Sequence, residues 1–155
     1  MKTFIGADKN IIDLFAFKIQ IKSYYYNYCK NEAEILSNLN EFDFFPKIIE
    51  EGKLIGQNYI IEILTGPNLE NILEFLDSGF DIITVVNIGI QLLNILEALH
   101  NKGILHNGIK PSNIEYGLFT KGKLINDNKI VLLDYWSSIK YIYGQYTEDE
   151  QEISH

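Results

Sequence analysis

The chain has 155 residues, 46% of them hydrophobic, and a net charge of −8 with 13 basic residues that are all lysine. That length lets roughly 70% of the unfolded surface be buried in one core, and an acidic, arginine-free chain argues against a nucleic-acid partner, because phosphate neutralisation dominates such binding and arginine supplies its bidentate fork. A single cysteine, Cys29, leaves no internal disulfide, the three scattered histidines form no metal-ligand cluster, and no uninterrupted apolar run reaches the roughly 18 residues of a membrane span, so a reducing intracellular compartment is expected.

Two short apolar runs, Phe4-Ile5-Gly6 and residues 14–19, flank a polar segment and read as an antiparallel strand pair. Lys18 interrupts the second run, either as a solvent-side position of the strand alternation or as a placed charge. The tyrosine-rich stretch 24–28 reads as packing. Residues 28–39 place Tyr28, Ile35, Leu36 and Leu39 against a polar remainder that includes Glu32 and Glu34, which suits an amphipathic helix lying on a sheet. Residues 48–52 and 58–64 read as two further strands joined by a turn at 52–57, after which Gly66-Pro67 breaks the chain and a short helix begins. From 81 to 102, Val85, Ile88, Leu92, Ile95, Leu96 and Leu99 make one helical stripe widened by Val86, Ile90 and Leu93, so the helix is expected to be almost wholly buried. Gly103 suits its left-handed cap.

Ile104-Leu105 then leads into a polar loop, His106-Asn107-Gly108-Ile109-Lys110-Pro111-Ser112-Asn113. Beyond it, the run Lys129 to Leu133 has strand composition and ends in Asp134. Gly117 to Lys123 fits G-x-x-x-x-G-K, but Leu124 stands where a phosphate-binding loop needs Ser or Thr and no helix pattern follows, so it reads as a hairpin. Residues 146–155 form an acidic tail.

Three of these stretches together resemble protein kinases. The loop has the spacing of the kinase catalytic loop H-R-D-x-x-x-x-N, with His106, Lys110 and Asn113 in register. Leu64-Thr65-Gly66-Pro67-Asn68-Leu69-Glu70 is similar to the L-L-G-P-S-L-E hinge of the casein kinase I group. Val131-Leu132-Leu133-Asp134 through Lys140-Tyr141 resembles that group's I-I-D-F-G-L-A-K-K-Y. The resemblance implies an α+β, protein-kinase-like fold over residues 1–145: a partial N-lobe with an antiparallel sheet and one helix at about 1–64, a hinge at 64–67, and a partial helical C-lobe at 68–145. It also implies roles. Lys18 and Glu32 become the phosphate-positioning pair, Lys110 the lysine that neutralises the transferring phosphoryl group, and Asn113 with Asp134 the magnesium ligands. Leu64 and Glu62 would line the adenine site, with Glu62 as gatekeeper in an ungapped match and Ile61 in a match with a one-residue gap.

The chain departs from the family at four places. Gly108 stands where the catalytic Asp belongs, removing a proton acceptor typically worth about 10² to 10⁴ in rate. Asn107 replaces the Arg that reads an activation-loop phosphate, the glycine-rich phosphate loop is expected to be missing ahead of residue 1, and most of the C-lobe is expected to be missing after residue 145. The expectation is therefore a catalytically defective casein kinase I-like domain that binds ATP and Mg weakly or not at all and serves as an interaction module for a protein partner, without nucleic acid or membrane, in the cytoplasm or the nucleus. Two alternatives stay open: a Ser/Thr kinase of low activity, and a piece of a longer active kinase.

Overall fold

The computed structural model describes residues 2–7, 14–21, 27–120 and 123–141. Tyr24-Tyr25-Tyr26 and the acidic tail lie outside these residues. Four strands form one antiparallel sheet: β1 (Lys2–Ala7), β2 (Leu14–Ile19), β3 (Ile48–Leu54) and β4 (Gln57–Ile63), in the order β1-β2-β4-β3. The first pair is the one read from the apolar runs. The turn between β3 and β4 is tighter than the 52–57 segment expected, because Ile55 and Gly56 both take positive φ (50° and 76°) and reverse the chain in two residues, the geometry that matches strand twist.

Helix α1 (Tyr28–Ser37) is the crossover between β2 and β3. Asn27 caps it by accepting from the Lys30 N–H at 3.1 Å. Cys29, Glu32, Ala33 and Leu36 are buried at helical spacing, so one face of α1 lies against the sheet and carries an acid into the interior.

The second layer is less helical than expected. It contains α2 (Leu69–Glu74), α3 (Ile82–Asn101), the two-residue strand β5 (Ile104–Leu105) paired with β8 (Ile139–Lys140), and the hairpin β6 (Ile114–Thr120) and β7 (Lys123–Leu132). Of the G-x-x-x-x-G-K stretch, residues 117–120 and Lys123 fall on these paired strands, and residues 121–122 lie outside the described residues. Asp81 caps α3, accepting from the Thr84 N–H at 2.9 Å. Gly103 ends it with φ +67°, and an added Cβ there would stand 2.8 Å from the Tyr141 carbonyl oxygen. One core joins the layers: Leu36, Leu39 and Phe45 meet Ile95, Leu99, Ile130, Leu132 and Tyr135.

The expected burial of α3 is corrected by the structure. Ile88, Ile95, Ala98 and Leu99 are buried, but Ile82, Ile83 and Leu93 are 73%, 71% and 66% exposed, and Val85, Val86 and Ile90 are exposed as well. Its apolar residues run further round the helix than the single layer beneath it covers. By length and composition alone α3 is also long and apolar enough to cross a membrane, with a mean hydropathy of 1.8. Asn87, Gln91 and Asn94 interrupt the apolar run along the helix, so its hydropathy shows as an average and not as an unbroken stretch.

Candidate functional site

The site is built where β2, β4 and α1 face the turn that follows β7. On β2, Lys18 shares a sheet face with Ala16, whose partner on β4 is Glu62, so Lys18 and Glu62 are diagonal neighbours across two strands. Glu32 arrives from α1. The Lys18 ammonium lies 2.7 Å from Glu32 Oε1 and 2.9 Å from Glu62 Oε2, and all three side chains are nearly inaccessible to solvent. The expected Lys18–Glu32 pair is therefore formed. A second carboxylate, which the family pattern did not lead one to expect on this lysine, competes for it. Between the two gatekeeper alternatives the strand alternation is decisive about orientation: Glu62 and Ile60 point inward, and Ile61 lies half-buried on the other face.

The electrostatics follow from burial. Desolvation alone would lower the Lys18 pKa, but Glu62 and Glu32 outweigh it and hold the ammonium well above its ordinary value. Glu32 is pushed up to about 7, first by burial, against the pull of Lys18 and with the push of Glu62. Sequence reading missed a third acid, Glu115, which is also raised to about 7, chiefly by burial, with Lys18 opposing and Glu62 adding. Thr65 donates its hydroxyl to Glu115 across the Leu64–Pro67 connection. An acid two residues after Asn113, at the start of a strand whose neighbours Ile114 and Tyr116 pack on the core, was the available signal. Among the described residues, Glu32 Oε2, Glu62 Oε1 and the Tyr135 hydroxyl are buried without a hydrogen-bond partner.

The loop is held by its own histidine. The Gly108 N–H donates to His106 Nδ1 at 3.1 Å, so the neutral ring carries its proton on Nε2, which lies 2.9 Å from the Leu133 carbonyl oxygen. Burial keeps the His106 pKa below its ordinary value, consistent with that neutral ring. With both nitrogens engaged, His106 anchors the loop to the end of β7. Asn113, in the short 3₁₀ turn Pro111–Asn113, donates to the Gly108 carbonyl at 2.8 Å and to Asp134 Oδ2 at 3.4 Å. Asp134 precedes a second 3₁₀ turn, Tyr135–Ser137, with a left-handed φ of 75°. The Tyr135 N–H donates to Glu32 Oε1 at 3.3 Å, and Asn31 of α1 donates to the Trp136 and Ser138 carbonyls at 3.0 Å each. Lys18, Glu32, Asn113 and Asp134, which lie 14 to 116 positions apart in sequence, are thus joined by one chain of contacts. Lys110 is exposed on the loop, and Leu64 is half-buried with its N–H donating to the Leu14 carbonyl at 3.2 Å.

A magnesium-bound nucleotide fits this arrangement unevenly. Asn113 and Asp134 stand side by side with oxygen donors, although the Asn113 nitrogen is the atom turned to its neighbours. A phosphate does not fit Lys18 as it is held, since two buried carboxylates already use that charge.

No protein-family model matches the chain. Curated proteins do. A protein of Encephalitozoon cuniculi named "Probable casein kinase I homolog" is 30% identical over 114 residues, covering 74% of this chain and 33% of the relative. A Caenorhabditis elegans protein named as a serine/threonine-protein kinase is 30% identical over 129 residues, covering 83% of this chain and 36% of the relative. A "Probable serine/threonine-protein kinase" of Dictyostelium discoideum is 30% identical over 117 residues, covering 74% and 24%. These matches support a protein-kinase-like relationship. The kinase-like chain spans about a quarter to a third of the length of these relatives, and its antiparallel sheet with α1 is compatible with part of a kinase N-lobe.

Proposed function

We propose that this chain is a casein kinase I-like domain in which phosphoryl transfer is lost or nearly lost and whose remaining role is to bind a protein. Gly108 is the observation that carries the reading. In a kinase the loop carboxylate accepts the proton of the attacking hydroxyl, and here position 108 offers only a backbone amide committed to His106. The glycine is no backbone requirement: its φ is not positive, and an added Cβ would make ordinary contacts, 3.4 Å to the His106 ring and 3.5 Å to Asn113 Nδ2. The exposed apolar side of α3 supports the protein-partner half of the proposal, since large apolar patches mark interaction surfaces. ATP and magnesium would be held weakly at best, through Asn113 and Asp134.

A radiolabel assay with Mg-ATP and an acidic peptide or casein tests this. Turnover should fall far below the rate of about 1 to 100 per second typical of kinases. Robust transfer by the unmodified chain, abolished by Asp134→Ala, would establish instead the second reading, a low-activity Ser/Thr kinase. The intact Lys18–Glu32 pair and the Asn113–Asp134 contact favour that alternative.

A further inference from the structure

Lys18 has one positive charge, and two carboxylates close on it from different elements. Glu32 comes from the helix and Glu62 from the neighbouring strand, each with one oxygen on the ammonium and the other oxygen buried without a partner among the described residues. With both carboxylates ionised the cluster has an excess of negative charge even before Glu115 is counted, and that acid lies close enough to feel both Lys18 and Glu62. An anion approaching the lysine would meet a like charge that is already desolvated. Glu32 is not the surplus member. It also accepts the Tyr135 N–H, so it ties α1 to the turn after Asp134, whereas among the described residues the Glu62 carboxylate is held by Lys18 alone.

We propose that Glu62 is an internal anionic competitor that occupies Lys18 and thereby excludes phosphate-bearing ligands from this site. The ligand class is a polyphosphate anion with its magnesium ion, and the proposal rests on the reading of this region as a nucleotide site. It makes the side chain at position 62 the determinant of admission: a neutral residue there leaves the Lys18–Glu32 pair intact, removes the repulsion, and frees a donor of the ammonium for phosphate.

Calorimetric titration of the full chain with Mg-ATP and, separately, with magnesium tripolyphosphate tests this in the wild type, Glu62→Gln and Glu62→Leu, and in each of these combined with Lys18→Met. Thermal denaturation of each variant establishes that it is folded. Gln keeps the size and a hydrogen bond while removing the charge, so it carries the test should Leu unfold. Both substitutions should tighten binding of both ligands at least about tenfold, the scale on which a neighbouring charge acts, and Lys18→Met should cancel the gain. Tripolyphosphate binding that tightens while Mg-ATP binds no better than tripolyphosphate supports the competitor and removes the nucleotide reading. Mg-ATP binding that is measurable in the wild type and unchanged in both variants overturns the competitor and leaves the nucleotide reading in place. No binding of either ligand by any folded variant overturns both.

Discussion

Lys18, Glu32 and Glu62 form a buried ionic triad, and the three residues should not contribute equally to stability. Removing the lysine strands two carboxylates in the interior, whereas removing Glu62 leaves a neutral pair. Loss of one partner of a buried pair costs about 3–5 kcal/mol, so Lys18→Met should lower chemical-denaturation stability by about that amount. Glu62→Leu should cost much less, or stabilise. Equal losses in the two variants would refute the triad's charge accounting. Position 108 makes a separate prediction. Because φ there is ordinary and a Cβ fits, Gly108→Asp should fold with a stability change within about 1 kcal/mol. The new carboxylate alone should restore little phosphoryl transfer while Lys18 stays clamped, and a rate gain above about 10²-fold from that one change would count against the competitor role of Glu62.

At the scale of elements, α3 shows two kinds of constraint. Its end is fixed by Gly103, where an L side chain would be in the left-handed region and only 2.8 Å from the Tyr141 carbonyl oxygen. Gly103→Ala should therefore destabilise by about 1–3 kcal/mol, combining backbone strain with the close contact. The exposed side of the helix should behave in the opposite way. Val86→Lys and Ile90→Glu replace exposed side chains, so unfolding free energy should move by no more than about 0.5 kcal/mol. Static light scattering should show less self-association of the double variant, because an apolar surface has been broken. A large stability loss in that variant would mean that the face is covered in the folded chain.

For the whole molecule, the acids gathered around one lysine make stability depend on pH. Glu32 and Glu115 are both raised from an ordinary 4.5 to about 7, so the folded state holds their protons more tightly than the unfolded chain does. Their stabilising contribution is complete below about pH 4.5 and is lost as pH climbs through 7. Exposed Asp81 and Glu34, lowered by the Thr84 amide and by Lys140 respectively, act in the reverse direction and at lower pH. The melting temperature should accordingly fall between pH 5 and pH 8. Glu115→Gln should flatten that slope, with a difference of roughly 1–3 kcal/mol across the window. A flat profile in the wild type would show that the acids are not coupled as the geometry implies.

Local patterns in the amino-acid sequence were enough for the strands at 14–19 and 58–64, for α1, for α3 with its Asp81 and Gly103 ends, and for the loop from His106 to Asn113. Alternation, helical spacing and capping chemistry all act within a few residues, so they can be read along the chain. The resemblance to kinases implied that Lys18, Glu32, Asn113 and Asp134 share one region, and hydrogen bonds and ion pairs link them there. What the sequence could not determine was which acid would share Lys18, because Glu62 reaches it only through the β2–β4 register, and which side of α3 would be left uncovered, because that depends on how much of the chain packs against it. Glu115 belongs to the same class: its burial beside Thr65 comes from the hinge meeting β6. Register, coverage and desolvation arise from contacts between segments far apart in sequence, and only the tertiary structure decides them.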